Sequence, residues 1–108
     1  MEIVFHEHHA NISERMRKRA ETSVRRAATR LSRAVDGVIR FEQDGRVKRV
    51  EIVLHAPRQR KLIARGEGSY YGPALSSAMD RLMNQIRTVR AERRRAERAR
   101  VVGKVAGA

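Results

Sequence analysis

Arginine is the residue type with most chemistry to offer in this chain, and it falls in two blocks. Positions 13–35 hold Arg15, Arg17, Lys18, Arg19, Arg25, Arg26, Arg30 and Arg33 against Glu14 and Glu21. Positions 69–108 hold Arg81, Arg87, Arg90, Arg93, Arg94, Arg95, Arg98, Arg100 and Lys104 against Asp80, Glu92 and Glu97. Each block nets +6 of a total of +13. A planar guanidinium can grip a phosphate through two parallel hydrogen bonds, and it stacks on unpaired bases. A one-signed charge this large opposes compaction and usually has a polyanionic partner. The chemistry indicated is recognition of a nucleic-acid backbone by a helical surface.

Other reactive residue types are sparse. His6, His8 and His9 form a His-x-His-His cluster, and strand alternation would put His6 and His8 on one face as a metal pair. No matching carboxylate pattern accompanies them, with Glu7 on the opposite face, so a loop histidine near RNA or simple surface exposure is expected and no metal site. Tyr70 and Tyr71 could stack on bases, although one is expected to pack over the sheet edge where a helix begins. Asp80 is expected to orient a neighbouring basic side chain. There is no nucleophile–base pair, glycine-rich phosphate loop or pair of carboxylates. No enzyme activity, catalytic residue, cofactor or small-molecule substrate is therefore expected.

The arginines need elements to position them. Residues 2–6 predict a short strand, with Ile3 and Phe5 on one face. Ser13 predicts a helix N-cap, and Glu14 suits the positive end of the helix. Apolar residues then recur at Met16, Ala20, Val24, Ala27, Leu31 and Val35, a continuous stripe with a stop at Gly37. The polar face carries the arginines, except Arg17, which falls near the stripe. Val38–Glu42 predicts a second strand, Asp44-Gly45 a hairpin turn, and Val47–His55 a third strand. A turn at Pro57–Arg60 and a last strand at Leu62–Glu67 follow. A second helix is predicted from Pro73, with Gly72 as cap. Its stripe is Leu75, Ala78, Met79, Leu82, Ile86 and Val89. Beyond Val89 nothing apolar remains to bury, so 91–100 predicts a projecting basic extension and 101–108 a disordered tail. The Arg93-Arg94-Arg95 run is either a contact with RNA or a solubilising end.

The expected fold class is α+β: a two-layer β-α-β-β-β-α sandwich, a four-stranded sheet with both helices on one face. Both basic helix surfaces then point outward from the same layer and make a cationic groove. One folded unit is expected over residues 1–90 and the basic extension over 91–108. The chain has no cysteine, which fits a reducing compartment. Its N-terminus has neither the basic start nor the apolar run of a signal peptide. No stretch reaches the roughly 20 apolar residues of a membrane span. A cytoplasmic protein without a membrane partner is the expectation.

The element order and several local motifs resemble the ribosome hibernation-promoting factor / ribosome-associated translation inhibitor family over residues 1 to about 90. Ile12-Ser13-Glu14-Arg15-Met16-Arg17 is similar to that family's helix start. Val50-Glu51-Ile52-Val53-Leu54-His55-Ala56-Pro57 is similar to its third strand and following turn. Ala78-Met79-Asp80-Arg81-Leu82-Met83-Asn84-Gln85-Ile86-Arg87 looks like its second-helix signature. The departures concern loops: Ser69-Tyr70-Tyr71-Gly72-Pro73 before the second helix, and Glu7 where a glycine is common. The chain resembles the short type, without a dimerisation domain. The resemblance implies binding to small-subunit rRNA in the channel used by mRNA and tRNA, which inhibits translation by occlusion in idle ribosomes. It marks Arg17, Arg26, Arg81 and Arg87 as RNA-binding. Thr29 and Thr88 replace family lysines, which shifts contacts to Arg30, Arg90 or the extension. The implied partner is the small ribosomal subunit, met by a chain that is monomeric off the ribosome. A general double-stranded RNA-binding or ribosome-assembly protein is the alternative.

Overall fold

The computed structural model describes residues 1–31, 36–56 and 61–106, with 102–106 described by backbone alone. Six elements follow one another: β1 (Glu2–His8), α1 (Glu14–Ala28), β2 (Asp36–Asp44), β3 (Val47–His55), β4 (Leu62–Gly68) and α2 (Tyr71–Ala106). The strands lie in the order β1-β2-β3-β4. β1 pairs with β2 in parallel, and the other pairs are antiparallel. The expected α+β sandwich, a four-stranded sheet in β-α-β-β-β-α order, is the architecture observed. The β2–β3 hairpin closes on Gly45 and Arg46, between the paired residues Asp44 and Val47. Gly45 has φ +60°, the left-handed conformation that a two-residue hairpin turn asks of its first position.

A period of two meets a period of 3.6 in the core. Ile39 and Phe41 of β2, Val50, Ile52 and Leu54 of β3, and Leu62 and Ala64 of β4 all turn to one face. They share one cluster with Ala20, Val24 and Ala27 of α1 and Leu75, Ala78, Leu82 and Ile86 of α2. Full burial of each large aliphatic or aromatic side chain contributes about 1.5–3 kcal/mol. Gly66 decides how closely α2 can lie. A Cβ there would stand 2.0 Å from the Ala74 carbonyl oxygen and 2.5 Å from the Ala78 nitrogen. Only glycine lets the first turns of α2 rest directly on β4.

α2 also guards the edge strand. Arg81 Nη1 donates to the Arg65 carbonyl at 2.7 Å, and Gln85 Nε2 donates to the Ile63 carbonyl at 2.7 Å. Both acceptors lie on β4, the last strand of the sheet, where unpaired backbone groups would otherwise template another strand.

Helix boundaries depart from the periodicity. The Ser13 cap is as expected: its hydroxyl accepts from the Met16 amide at 3.1 Å. α1 ends at Ala28 rather than near Val35. Thr29 Oγ1 donates back to the Arg26 carbonyl at 2.6 Å, and Arg30 and Leu31 close tight turns onto Ala27 and Ala28. Leu31 still reaches the core, so the stripe outlasts the helix. Gly37 is no helix stop. It sits in β2, facing Ile3 of β1. Arg33, Val35 and the expected turn at Pro57–Arg60 lie outside the described residues. α2 starts at Tyr71, two residues before Pro73, because the Ala74 amide already donates to the Tyr70 carbonyl. Pro73 then falls in the first turn, where its missing N–H costs nothing. At its other end α2 continues to Ala106, past the Arg100 at which the sequence predicts helix to give way to a disordered tail. Residues 92–101 are all exposed. The helix beyond Val89 runs for about 25 Å at roughly 1.5 Å per residue, and the molecule measures 62 × 23 × 17 Å.

Candidate nucleic-acid interface

α1 and α2 lie side by side on the sheet, and a groove of about 300 Å³ runs between them. Its floor is apolar, from Ala27, Leu75, Met79 and Met83, and Arg19, Arg26 and Arg30 rise from the α1 side. Asp80 is the carboxylate in that lining. A second depression of about 270 Å³ continues the lane. It shares Arg30 and adds Thr29, Leu31, Arg90, Arg93, Arg94 and Glu97. At the other end Arg19 Nη2 donates to Ser76 Oγ at 3.4 Å and ties the two helices together. Among the described residues, Arg19, Arg26, Arg30, Arg90 and Arg94 have no ion-pair partner. Guanidinium groups gathered in one lane, with Asp80 and Glu97 in its lining but ion-paired to none of these five, are poised for an external polyanion.

The structure divides the six residues expected to bind RNA. Arg26, Arg30 and Arg90 converge on the lane. Arg87 stands on the same flank of α2, one turn from Met83 and Arg90, and donates to Asn84 Oδ1 at 3.1 Å. Arg81 is on the opposite flank, committed to the β4 backbone. Arg17 is turned toward β1. It pairs with Glu7 at 2.5 Å and Glu14 at 3.3 Å, and its guanidinium lies 5.8 Å from the Phe5 ring centroid. The hydrogen bond and charge of Glu7 raise the Arg17 pKa above its ordinary value. The place near the apolar stripe thus reflects a contact with β1. Arg19 joins the lane without having been singled out, and Arg94 joins it from the Arg93-Arg94-Arg95 run. Their signal was present as spacing: Arg19, Arg26 and Arg30 repeat in steps of seven and four, Arg87, Arg90 and Arg94 in steps of three and four.

The outer face of the sheet treats its arginines differently. Register places Arg40, Glu51 and Arg65 in one row, and Glu42, Arg49 and Glu67 in the next. Glu51 pairs with both Arg40 and Arg65, at 3.6 and 2.5 Å. Arg49 pairs with Glu67 at 2.8 Å and with Asp44 at 3.4 Å. The Glu67 hydrogen bond, more than any other contact, raises the Arg49 pKa. Beside these rows Val4, Val38, Val53 and Ile63 form an apolar row across all four strands.

The remaining candidates resolve simply. His6, His8 and His9 are exposed, with the His8 and His9 rings 4.4 Å apart. Among the described residues no group of three or more His, Cys, Asp or Glu could hold a metal ion. Tyr71 packs edge-on against Phe41 with centroids 5.6 Å apart, while Tyr70 stays 69% exposed. The Lys48 ammonium lies over both tyrosine rings. Burial pushes the Tyr71 phenol up, aided by the charges of Glu42 and Glu7. Asp80 makes no ion pair among the described residues, so its expected role in orienting a basic neighbour has no contact behind it. No described helix is long and apolar enough to cross a membrane.

Comparison with known proteins places this geometry. Residues 3–94 match the family model described as Sigma 54 modulation protein / S30EA ribosomal protein. A ribosomal subunit interface protein from Coxiella burnetii shares the fold with a TM-score of 0.77 at 20% identity, covering 84% of this chain and 99% of that one. The Protein Y N-terminal domain from Thermus thermophilus does so with a TM-score of 0.71 at 20% identity, covering 82% and 99%. No curated protein matches the sequence.

Proposed function

This chain belongs to the Sigma 54 modulation protein / S30EA ribosomal protein family, and on that premise we propose that it binds small-subunit rRNA in the mRNA and tRNA channel. Occupying the channel inhibits translation by steric occlusion and holds idle ribosomes. The protein acts as a monomer off the ribosome, in the cytoplasm, without a cofactor or catalytic step. Residues 1–90 are the ribosome-binding unit and the remainder a basic extension.

One observation carries this reading: the lane of arginines between α1 and α2, with Arg26, Arg30 and Arg90 unpaired among the described residues and open to solvent. Phosphate is the natural occupant, since each bound phosphate releases counterions and makes binding strongly salt-dependent. Arg87 belongs to the same contact surface. Arg17 and Arg81 serve as supports, for β1 and β4 respectively, and touch rRNA at most with what those contacts leave over.

Cosedimentation with purified small subunits near physiological salt, together with an in vitro translation assay, tests the proposal. Comigration and dose-dependent inhibition are expected. Absence of comigration contradicts it. Equal affinity for naked duplex RNA and for subunits would favour a general RNA-binding or assembly role.

A further inference from the structure

We infer that the projecting part of α2, residues 91–101, is a second RNA-contacting element: an arginine arm that seats in a phosphate-walled cleft of folded RNA. The core ends at Val89, the last α2 residue packed against it, and every residue from Glu92 to Val101 is exposed. A helical stretch with nothing to bury is marginal in water, so its ordering gains most from a partner outside the domain. Arg94, Arg95, Arg98 and Arg100 have no ion-pair partner among the described residues. Arg93 is engaged by Glu97 at 3.6 Å.

The kind of partner follows from how these four side chains are arranged. At about 100° per residue, Arg95, Arg98 and Arg100 stand roughly 100°, 40° and 240° round the axis from Arg94. Arg94, Arg98 and Arg95 therefore share an arc of about 100°, and Arg100 leaves the helix on the other side, about 120° or more from each of them. A helix lying on an anionic membrane needs one apolar face. Here Ala91, Ala96, Ala99 and Val101 are as scattered as the arginines. An acidic protein surface would engage the arc of Arg94, Arg95 and Arg98 and leave Arg100 unpaired. Folded RNA alone surrounds a helix with phosphates on several sides, as in a cleft between two packed RNA helices. The arm also continues the interhelical lane, because Arg30, Arg90 and Arg94 line one depression. The inference rests on the proposed function for that continuity, whereas the unpaired charge on two sides of an exposed helix stands independently of it.

The test uses the full chain and the R94Q/R95Q/R98Q/R100Q variant, whose exposed positions leave the thermal melt unchanged. The probes are a folded three-way-junction RNA, a poly(U) strand of equal length, and phosphatidylserine vesicles. Affinities are measured between about 50 and about 200 mM KCl. The native chain is expected to favour the junction over poly(U) and vesicles. The variant should lose about tenfold or more on the junction, with the slope of log affinity against log salt shallower by about three, one phosphate per arginine. An unchanged junction slope, equal binding of poly(U), or tightest binding to vesicles overturns the arm. Purified small subunits, titrated in parallel with an R26E/R30E variant, separate the two proposals. Loss on the junction by the arm variant, with neither variant affecting subunits, upholds the arm and sinks the proposed function. Loss of subunit binding by R26E/R30E, with the junction indifferent to the arm variant, does the reverse.

Discussion

The two faces of this molecule carry the same residue type to opposite ends. On the outer face of the sheet, Arg40, Arg49 and Arg65 each meet a carboxylate across a strand pair. On the helix layer, Arg19, Arg26, Arg30 and Arg90 line a groove and meet none among the described residues. The sheet's register builds the difference, because facing residues on neighbouring strands stand about 5 Å apart and opposite signs there stabilise. Between two helices no such ladder exists, and the carboxylates in the lane, Asp80 and Glu97, pair with none of these four arginines. A count of arginines therefore misleads as a guide to a binding site. What sets the candidate site apart is charge without an internal partner among the described residues.

The largest effect should come from removing the seat that creates the groove. Gly66→Ala drives a methyl into the α2 backbone and should cost about 3 kcal/mol, the upper end of overpacking. It should also abolish RNA binding, as seen by thermal melts and subunit cosedimentation. Next, R26E/R30E/R90E should weaken small-subunit binding by about 100-fold or more with an unchanged melt. Loss of stability there would mean the lane is structural. In R81Q/Q85A the expectation inverts: stability falls by about 1–2 kcal/mol as two hydrogen bonds to β4 are lost, while subunit affinity stays within about twofold. A sharp loss of affinity would return Arg81 to the interface. The mirror variant R40Q/R65Q should change stability by less than about 1 kcal/mol, as exposed pairs do, and leave affinity alone. The smallest effect concerns pH. The folded chain holds the Tyr71 phenol protonated above its ordinary value of 10.0. That contribution is complete below this pH and is lost as pH rises through the folded value. Tyr71→Phe should flatten the fall in melting temperature above about pH 10, and a parallel fall in both proteins would remove the phenol from the account.

Much of the fold was legible because its signals are periodic. Alternation in β3 and the stripes of α1 and α2 name most of the core, and Ser13 marks the helix start through a local hydrogen bond. The misplaced boundaries have a common cause. Leu31 keeps the helical spacing although its backbone has already turned, so periodicity overruns α1 by several residues. Gly37 and Gly66 look like punctuation but answer to neighbours distant in sequence. The site was half legible for a similar reason. Arg26, Arg30 and Arg90 could be placed by helical spacing. The partner of Arg81 is a backbone carbonyl 16 residues earlier, and no side-chain pattern encodes a carbonyl. For Arg17 the hint was its position off the polar face, which marks a half-buried flank and a carboxylate neighbour.

A cryo-EM map of the protein on the small subunit would show directly which face meets rRNA. Phosphates of rRNA are expected within hydrogen-bond distance of Arg26, Arg30 and Arg90, with the paired arginines of the sheet turned away from the RNA. A map in which the outer face of the sheet lies against rRNA, with the interhelical lane open to solvent, would contradict it.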